Sequence, residues 1–403
     1  MKSKIIINEN TLKNVEKYEI ISKHEVIAHI EQFKSELSKE SGKFVHFGCT
    51  SCFVQDNSDI YMQIRCLKLL KNKSYYFLNL LKILSLKYKN VPCVGYTHIQ
   101  PAQFVTIGKR FCIYASRLLD CINYLNYVIN NIKYLGLKGA TGTQDSYLKI
   151  LNSSDKVFEL EKMFENKYGT VEKISSQTYN RQQDEHILFC CANFARLLSN
   201  ICLNLRISSH DEELYEPFDT ENQVGSSSMP YKKNPIKSER ICSLSKIIIS
   251  NINIELASDQ IYERVLTDSA CRRLKLDESL CLTDYILTLI CHIFENIFID
   301  INNINIHCQK FLSIMISEEI IIKMVKLGFD RQDVHLKLKN IMLNNSNNII
   351  EIIKADNFFN KLNFNSLNIN KSSFIGLCPE QISNFWISIE FPTITTVDTY
   401  FKY

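Results

Sequence analysis

The segment from Gly225 to Pro235, here named the serine loop, concentrates hydroxyl, amine and amide groups in one short stretch. It reads Gly-Ser-Ser-Ser-Met-Pro-Tyr-Lys-Lys-Asn-Pro. A serine oxygen can remove a proton only where cations and N–H donors stabilise the negative charge that develops on it or on the product. Three serines followed by two lysines and an asparagine provide both requirements. The string therefore predicts a loop that handles an anion, whereas a bare serine run would indicate only an exposed polar loop.

Three further segments combine glycine or proline with polar side chains. Gly42 and Gly48 lie close to Thr50 and Ser51; Gly95, Pro101 and Gly108 surround Thr97 and His98; and Gly136, Gly139 and Gly142 surround Thr141 and Thr143. Binding and catalytic residues lie disproportionately on irregular segments that a rigid scaffold positions. We therefore expect these three segments and the serine loop to form ligand-binding sites.

The elements that hold these segments are predicted to be helices. The chain of 403 residues contains only 11 Gly and 7 Pro, whereas average usage of about 7% and 5% would give about 28 and 20. Neither residue occurs from Ile236 to Leu327, and a stretch of that length without turn residues is typical of helices. The composition therefore predicts an all-α fold.

Hydrophobic periodicity places long helices at 59–88, 183–207, 236–261 and 276–299, because apolar residues recur there at steps of three and four. These stretches are apolar on more than one side, as expected for central helices of a bundle. Asn-rich stretches at 344–348 and 360–370 are interpreted as loops between shorter helices. We predict three parts: a short helical N-terminal region at 1–49, a long-helix bundle at 50–299 and a C-terminal helical domain at 300–403.

Composition excludes several classes of protein. The formal net charge is +4 without a long basic run, which argues against a nucleic-acid partner. No uncharged apolar run reaches about 18 residues, so no membrane association is expected. Fifteen cysteines without a framework spacing indicate a reducing compartment, and we expect a cytoplasmic protein.

His46, Cys49 and Cys52 form the pattern H-x-x-C-x-x-C. A zinc site usually needs four ligands, so no metal site is predicted.

The motifs resemble those of the adenylosuccinate lyase family within the fumarase/aspartase superfamily, most closely its eukaryotic-type members. The serine loop with Ser238-Glu239-Arg240 resembles the superfamily signature, and Tyr-Thr-His-Ile-Gln-Pro-Ala-Gln at 96–103 resembles the adenylosuccinate lyase motif. Other matching stretches are 50–59, 138–144, 177–181, 262–264, 268–273 and 331–335. The resemblance extends from about residue 23 to about residue 392, and it implies the long-helix bundle of that superfamily.

The resemblance implies elimination of fumarate from adenylosuccinate, giving AMP, and from the succinyl-carboxamide ribotide of purine synthesis. Elimination needs a base on the carbon proton and an acid on the leaving nitrogen. The resemblance assigns the base to Ser226 and the acid to His98, and a histidine pKa near 6.5 suits an acid at neutral pH. No metal or organic cofactor is required by this chemistry.

The remaining site residues are also implied by the resemblance. Residues matched to the succinyl part and its carboxylates are Thr50, Ser51, Thr97, Gln177, Lys232 and Asn234. Residues matched to the nucleotide end, where a phosphate favours fork-shaped donors, are Arg240, Arg264, Ser269 and Arg273. His24 matches a second active-site histidine, and it lies between Lys23 and Glu25. The family implies a homotetramer in which each active site collects residues from three chains.

Two departures from the family pattern bear on substrate binding. The family usually shows Arg-His-Asp where this sequence has Lys23-His24-Glu25, and lysine does not replace a bidentate arginine. In the family, an Arg-Tyr pair near the N-terminus contacts the nucleotide, and this pair is not found here. We therefore expect substrate affinity to be the property that its absence affects most. Two alternatives stay open: another fumarate-releasing lyase, of the argininosuccinate lyase or aspartase type, and a degenerate homologue that acts only as a scaffold.

Overall fold

The structure, a computed structural model, describes residues 7–255, 261–344, 349–367 and 369–391. Its α-helices are α1 Glu9–Ser22, α2 Glu25–Ser35, α3 Lys39–Gly42, α4 Ser51–Lys87, α5 Ile107–Asn131, α6 Asp145–Leu151, α7 Ser154–Tyr168, α8 Gln182–His210, α9 Ile236–Ser250, α10 Ile252–Glu255, α11 Thr267–Glu295, α12 Ile301–Met315, α13 Ser317–Lys326, α14 Arg331–Asn344, α15 Ile349–Ala355 and α16 Cys378–Ile387. Short 3₁₀ helices cover Asn357–Phe359, Phe364–Ser366 and Lys371–Phe374. The prediction of an all-α fold is confirmed.

The long helices are found close to their predicted positions. Helix α4 has 37 residues and begins eight residues before the predicted start. The helix predicted at 236–261 is instead interrupted at Asn251, whose side-chain amide donates to Glu278 and Ser279 of α11 at 3.0 Å. The last part of that predicted helix, 256–260, and the loop predicted at 345–348 lie outside the described residues.

Helix α8 is long and apolar enough in composition to span a membrane, but 61% of its most apolar window is buried inside the protein. Its buried side includes Ile187, Phe194 and Leu198, which are fully or nearly fully shielded from solvent. A core helix of a folded protein has the same composition, and this burial is what the bundle prediction requires of it.

The structure contains a β-hairpin that the sequence analysis missed. Strand β1 (Pro92–Thr97) pairs antiparallel with β2 (Gln100–Thr106), and a second small sheet joins β3 (Leu214–Tyr215) to β4 (Phe298–Ile299). Strand β4 lies inside the stretch that lacks Gly and Pro. The hairpin places the predicted site residue Thr97 at the end of a strand and His98 in the turn that follows it.

The described residues fall into two compact units that are each assembled from separate segments. Unit 1 comprises the described residues within 1–71, 123–193 and 247–284; unit 2 comprises those within 72–122, 194–246 and 285–403. Helices α4, α5, α8, α9 and α11 contribute residues to both. The three domains predicted along the sequence are not tested by this division and stay a prediction.

Unit 1 is held together by α1 packed on α2, and by a small core in which Leu137, Tyr147 and Val157 pack with Phe53 and Phe164. Burial of such side chains contributes roughly 1.5–3 kcal/mol each relative to exposure. This core lies directly under the start of α4, where the predicted residues Thr50 and Ser51 are found.

Unit 2 has two hydrophobic centres. The ring of Phe294 on α11 packs edge-on against Phe77 of α4 at 5.2 Å and Phe111 of α5 at 5.9 Å. A separate core closes the C-terminal helices; its buried residues are Ile316, Ile320, Met324, Val334, Leu338, Ile341, Ile349, Ile353, Phe359, Leu362 and Leu367. In the same unit, Trp386 of α16 donates a buried hydrogen bond of 2.7 Å to Ser85 of α4.

The crossing of α4 and α5 leaves no room for a side chain at Gly108. A Cβ there would lie 2.3 Å from the Ser85 carbonyl oxygen and 2.7 Å from backbone atoms of Lys89. Overpacking of this kind costs about 1–3 kcal/mol or more, so we expect Gly108→Ala to lower the melting temperature. Gly42→Ala is the matched control, because its Cβ would meet nothing closer than 3.8 Å; equal melting of the two variants would contradict the packing.

Candidate active site

The N-terminus of α4 brings three predicted residues together. Thr50 precedes the helix and Ser51 begins it. The Ile27 N–H donates to His24 Nδ1 at 3.4 Å, so the ring proton is carried by Nε2, which lies 3.4 Å from Ser51 Oγ. The first N–H groups of a long helix are unpaired and lie at the positive end of its dipole. An acidic ligand would therefore be stabilised here by backbone, hydroxyl and imidazole donors.

Gln177 connects this helix end to two other segments of unit 1. Its Nε2 donates to the Ala140 carbonyl at 2.9 Å, in the Gly-rich turn that the sequence analysis singled out. Its Oε1 accepts from Arg264 Nη1 at 3.1 Å and from Cys52 Sγ at 3.5 Å. The structure thus forms two side-chain pairs, His24–Ser51 and Gln177–Arg264, that meet at the start of α4, because Gln177 also contacts Cys52, the residue after Ser51.

A buried charge network lies behind this group. Arg272 is 1% exposed, and its guanidinium contacts the Tyr179 hydroxyl and Asp59 at 3.0 Å and the carboxylates of Asp56 and Asp184 at 3.6 Å. Burial opposes the charge, but these neighbours together raise the pKa of Arg272 above its ordinary value. A charged Arg272 therefore ties α4, α8 and α11 together beside the Gln177 segment.

Other predicted residues of unit 1 occupy more peripheral positions. Lys23 ends α1 with a left-handed φ of 55°, and Glu25 is exposed in the first turn of α2. Ser269 is only 2% exposed, and its hydroxyl donates to the Leu266 carbonyl at 3.2 Å within the first turn of α11. Arg273 is half-buried on the same helix. The Ser269 hydroxyl proton is therefore taken by a backbone carbonyl at the start of its own helix.

His98 occupies the tip of the β1–β2 hairpin in unit 2. Thr97 pairs with Gln100, so His98 and Ile99 form a two-residue turn, and both have left-handed backbone angles with φ of 53° and 59°. This turn type normally selects Asn and Gly, and a β-branched residue at positive φ is a genuine outlier. Strain of this kind clusters at functional sites, and here it holds an exposed imidazole at the end of a rigid arm.

The serine loop is closed on itself. A Cβ on Gly225 would lie 2.1 Å from the Lys232 carbonyl oxygen, so only glycine permits this close approach. Asn234 Nδ2 donates to the Gly225 carbonyl at 3.0 Å, and the Met229 N–H donates to Ser226 Oγ at 3.2 Å. A backbone N–H aimed at a serine oxygen stabilises negative charge on it, which is what the base assignment of Ser226 requires.

The remaining predicted cations of unit 2 are solvent-exposed. Lys232 lies within the loop, and Arg240 on α9 donates to the Tyr285 hydroxyl at 3.0 Å. Among the described residues, no hydrogen bond joins His98 to Ser226. Each lies on its own irregular segment of unit 2.

The H-x-x-C-x-x-C pattern does not form a converging set of ligands. Cys49 Sγ lies 3.3 Å from the Tyr147 hydroxyl, whereas Cys52 Sγ points to Gln177. Within the described ranges, no group of three His, Cys, Asp or Glu side chains is arranged to hold a metal ion.

The sequence did not identify the buried residues that hold the Gln177 segment and the start of α4 in place. Cys52, Tyr179 and Arg272 stand inside quoted motifs but received no role. Their signal was present in part, since two of their acidic partners, Asp59 and Asp184, lie on stretches predicted to be helices of the bundle, where buried charges are rare unless paired. Which partners they choose depends on tertiary contacts that no local pattern shows.

Solved structures share this fold. The fumarate lyase from Mesorhizobium sp. BNC1 superposes with a TM-score of 0.80 and 16% identity, covering 95% of this chain and 87% of the other. The β-carboxy-cis,cis-muconate cycloisomerase from Acinetobacter calcoaceticus sp. ADP1 gives 0.80 and 15%, covering 94% and 86%. At such low identity these likenesses establish the fold alone. A family model described as Lyase matches residues 7–249, more than half of the chain, so the chain belongs to a family of lyases.

Relatives that are similar in sequence identify the family more specifically. The adenylosuccinate lyase of Saccharomyces cerevisiae is 31% identical over 401 residues, and that of Schizosaccharomyces pombe is 34% identical over 402 residues; each alignment covers 96% of this chain and 83% of the relative. The adenylosuccinate lyase of Schistosoma mansoni is 36% identical over 324 residues, 79% of this chain and 67% of the relative. The chain belongs to the adenylosuccinate lyase family, as its motifs predicted.

The buried network makes Arg272 a stability residue as well as a neighbour of the site. Removing one partner of a buried ion pair costs about 3–5 kcal/mol, because the other charge stays buried without compensation. We expect Arg272→Ala to lower the free energy of unfolding by this amount in denaturant titrations, whereas Arg273→Ala on the next, half-buried position should cost much less. If both variants lost the same free energy of unfolding, the buried network would contribute no more stability than the contacts of a half-buried arginine.

A substitution in the hairpin turn is predicted to preserve or raise the stability of the protein rather than lower it. Ile99 is 75% exposed and holds φ at 59°, a conformation that costs a residue with a Cβ roughly 1–2 kcal/mol and costs glycine almost nothing. Ile99→Gly should therefore leave the thermal stability unchanged or raise it, while loosening the arm that carries His98 and lowering turnover. Gln100→Gly, at an extended strand position, should give no such gain; a destabilised Ile99→Gly variant would contradict the strain.

Proposed function

We propose that this protein eliminates fumarate from adenylosuccinate, giving AMP, and likewise from the succinyl-aminoimidazole-carboxamide ribotide. The observation that carries the proposal is the length of the match to adenylosuccinate lyases, which runs over 401 and 402 residues and so includes the hairpin and the serine loop. The donor-rich N-terminus of α4 beside His24 and Gln177 supports a substrate that carries several negative charges.

In the proposed reaction the Ser226 oxygen takes the proton from the carbon next to a carboxylate. The electron pair of that C–H bond forms the double bond of fumarate, the C–N bond breaks, and His98 donates a proton to the leaving nitrogen. Negative charge builds on the carboxylate oxygens during the first step. Lys232, Asn234 and the donors at the start of α4 are the groups proposed to stabilise it.

We further propose a homotetramer with active sites shared between chains, located in the cytoplasm. Apolar side chains on α8 remain exposed in the single chain, with Phe189 at 38%, Leu203 at 45% and Ile207 at 48%, which supports burial against other copies. The absence of a His98–Ser226 hydrogen bond among the described residues agrees with acid and base contributed by different chains. All fifteen cysteines are free thiols, which supports a reducing compartment.

The test is fumarate release by the purified protein, followed by ultraviolet absorbance with adenylosuccinate, the succinyl-carboxamide ribotide, argininosuccinate and aspartate in parallel. Turnover of the two ribotides is expected. Turnover of argininosuccinate or aspartate instead would move the protein to another lyase of the superfamily, and no turnover of any substrate would identify a non-catalytic homologue.

Ser226→Ala should lower kcat by about 10²–10⁴-fold, the usual contribution of a positioned base, with the oligomer unchanged in size-exclusion chromatography. Ser228→Ala is the matched control, because Ser228 is exposed in the same loop and has no assigned role. A Ser226→Ala variant with wild-type kcat would remove the base assignment.

A further inference from the structure

The short segment Glu213–Glu216 around β3 carries two carboxylates that the proposed reaction does not use. Glu213 is 1% exposed and Glu216 is 8% exposed, although ionised side chains are rarely this buried unless they are paired. Both lie in unit 2, and each contacts an element next to one of the two predicted catalytic residues.

Glu216 binds the N-terminus of α9. One carboxylate oxygen accepts from the Ser238 N–H at 2.8 Å and the Ser238 hydroxyl at 2.7 Å, and the other accepts from the Lys237 N–H at 3.0 Å. These backbone donors would otherwise be unpaired at the helix end, and the helix dipole favours a negative charge there. Charge-assisted bonds of this type are about twice as strong as neutral ones.

These bonds join the two ends of the segment that contains the serine loop. Glu216 lies before the loop and Ser238 after it, and Lys237 Nζ adds a bond of 2.8 Å to the Pro217 carbonyl. Inside this closure, Asn234 contacts Gly225 at 3.0 Å. Ser226 therefore lies in a segment whose two ends are joined at the Glu216 carboxylate and, closer to the serine, by the bond from Asn234 to Gly225.

Glu213 is linked through Arg110 to the β1–β2 hairpin, which carries His98. Its carboxylate lies 3.5 Å from Arg110 Nη1 and 3.0 Å from His307 Nδ1. Arg110 Nη2 donates to the Val94 carbonyl at 2.5 Å, on the strand that leads to His98. The Val94 position is where the β1–β2 register shifts, so this contact fixes the hairpin at its irregular point.

We propose that the Glu213–Glu216 segment is a positioning element: Glu216 fixes the serine loop that carries Ser226, and Glu213, through Arg110, fixes the hairpin that carries His98. Neither carboxylate touches the reacting atoms. The role in turnover rests on the proposed function, whereas the closure of the loop is a property of the chain alone.

The experiment compares wild type, Glu216→Gln, Glu216→Asp and the control Glu221→Gln by hydrogen exchange and by fumarate release. Glutamine keeps the size but loses the charge and one acceptor, so amide exchange across 225–238 should accelerate. A misplacement of about 1 Å can cost about 10²-fold, and we expect a kcat loss of about 10–100-fold with KM nearly unchanged and the shape of the pH profile retained. Glu216→Asp should recover part of both, and the exposed Glu221→Gln should match wild type.

Each outcome decides the proposal. Unchanged exchange in Glu216→Gln would overturn the closure of the loop. Faster exchange with wild-type kcat, or a lower melting temperature with unchanged kcat per folded oligomer, would reduce Glu216 to a purely structural residue. A lost limb of the pH profile would make it an acid or base instead. If the wild-type chain releases no fumarate from either ribotide, the proposed function fails, and exchange alone still decides the closure.

Glu213→Gln extends the same design to the hairpin. Exchange should accelerate at residues 92–106 and not at 225–238, and kcat should fall with KM nearly unchanged. Accelerated exchange in the serine loop instead of the hairpin would contradict the separate roles of the two carboxylates.

Discussion

Unpaired N–H groups at helix N-termini are the constraint on which the candidate site depends. A chain with few glycines and prolines builds long helices, and every such helix leaves four backbone donors and a positive dipole end at its start. His24 caps α2, Thr50 precedes and Ser51 begins α4, Asn234 precedes α9 and Glu216 binds its first turn, and Ser269 lies in the first turn of α11. A substrate rich in carboxylates and phosphate is suited to such positions.

The same physics explains how the structure keeps these helix ends in place. An unpaired donor is available either to a ligand or to a side chain of the protein. At α9 the protein itself supplies the anion, Glu216, and so closes the serine loop. At α4 the first turn contacts His24 through Ser51 and Gln177 through Cys52, while the cost of burying Arg272 is offset by Asp56, Asp184 and Tyr179. Buried charge thus fixes the scaffold, and the half-buried start of α4 is the position proposed for the substrate.

The sequence predicted the helices because their periodicity is local, and it predicted the family because whole motifs survive in it. It did not predict the β-hairpin, since His98-Ile99 lacks the Asn or Gly that a two-residue turn normally shows. The break at Asn251 was also missed, because it depends on Glu278 and Ser279 of another helix. The grouping of His24, Ser51, Gln177 and Arg264 required the resemblance, and the roles of Arg272 and Glu216 required the structure, since buried partners are separated by up to about two hundred residues along the chain.

The central claim is that Ser226 and His98 act on one substrate as base and acid while belonging to separate chains of an oligomer. Mixing the variants His98→Gln and Ser226→Ala, denaturing them together and refolding them would test it, with native mass spectrometry confirming that hybrids form. Each variant alone should be inactive. The account predicts that hybrids regain fumarate release, because some sites then receive an intact residue from each parent; hybrids that form but stay inactive would contradict it.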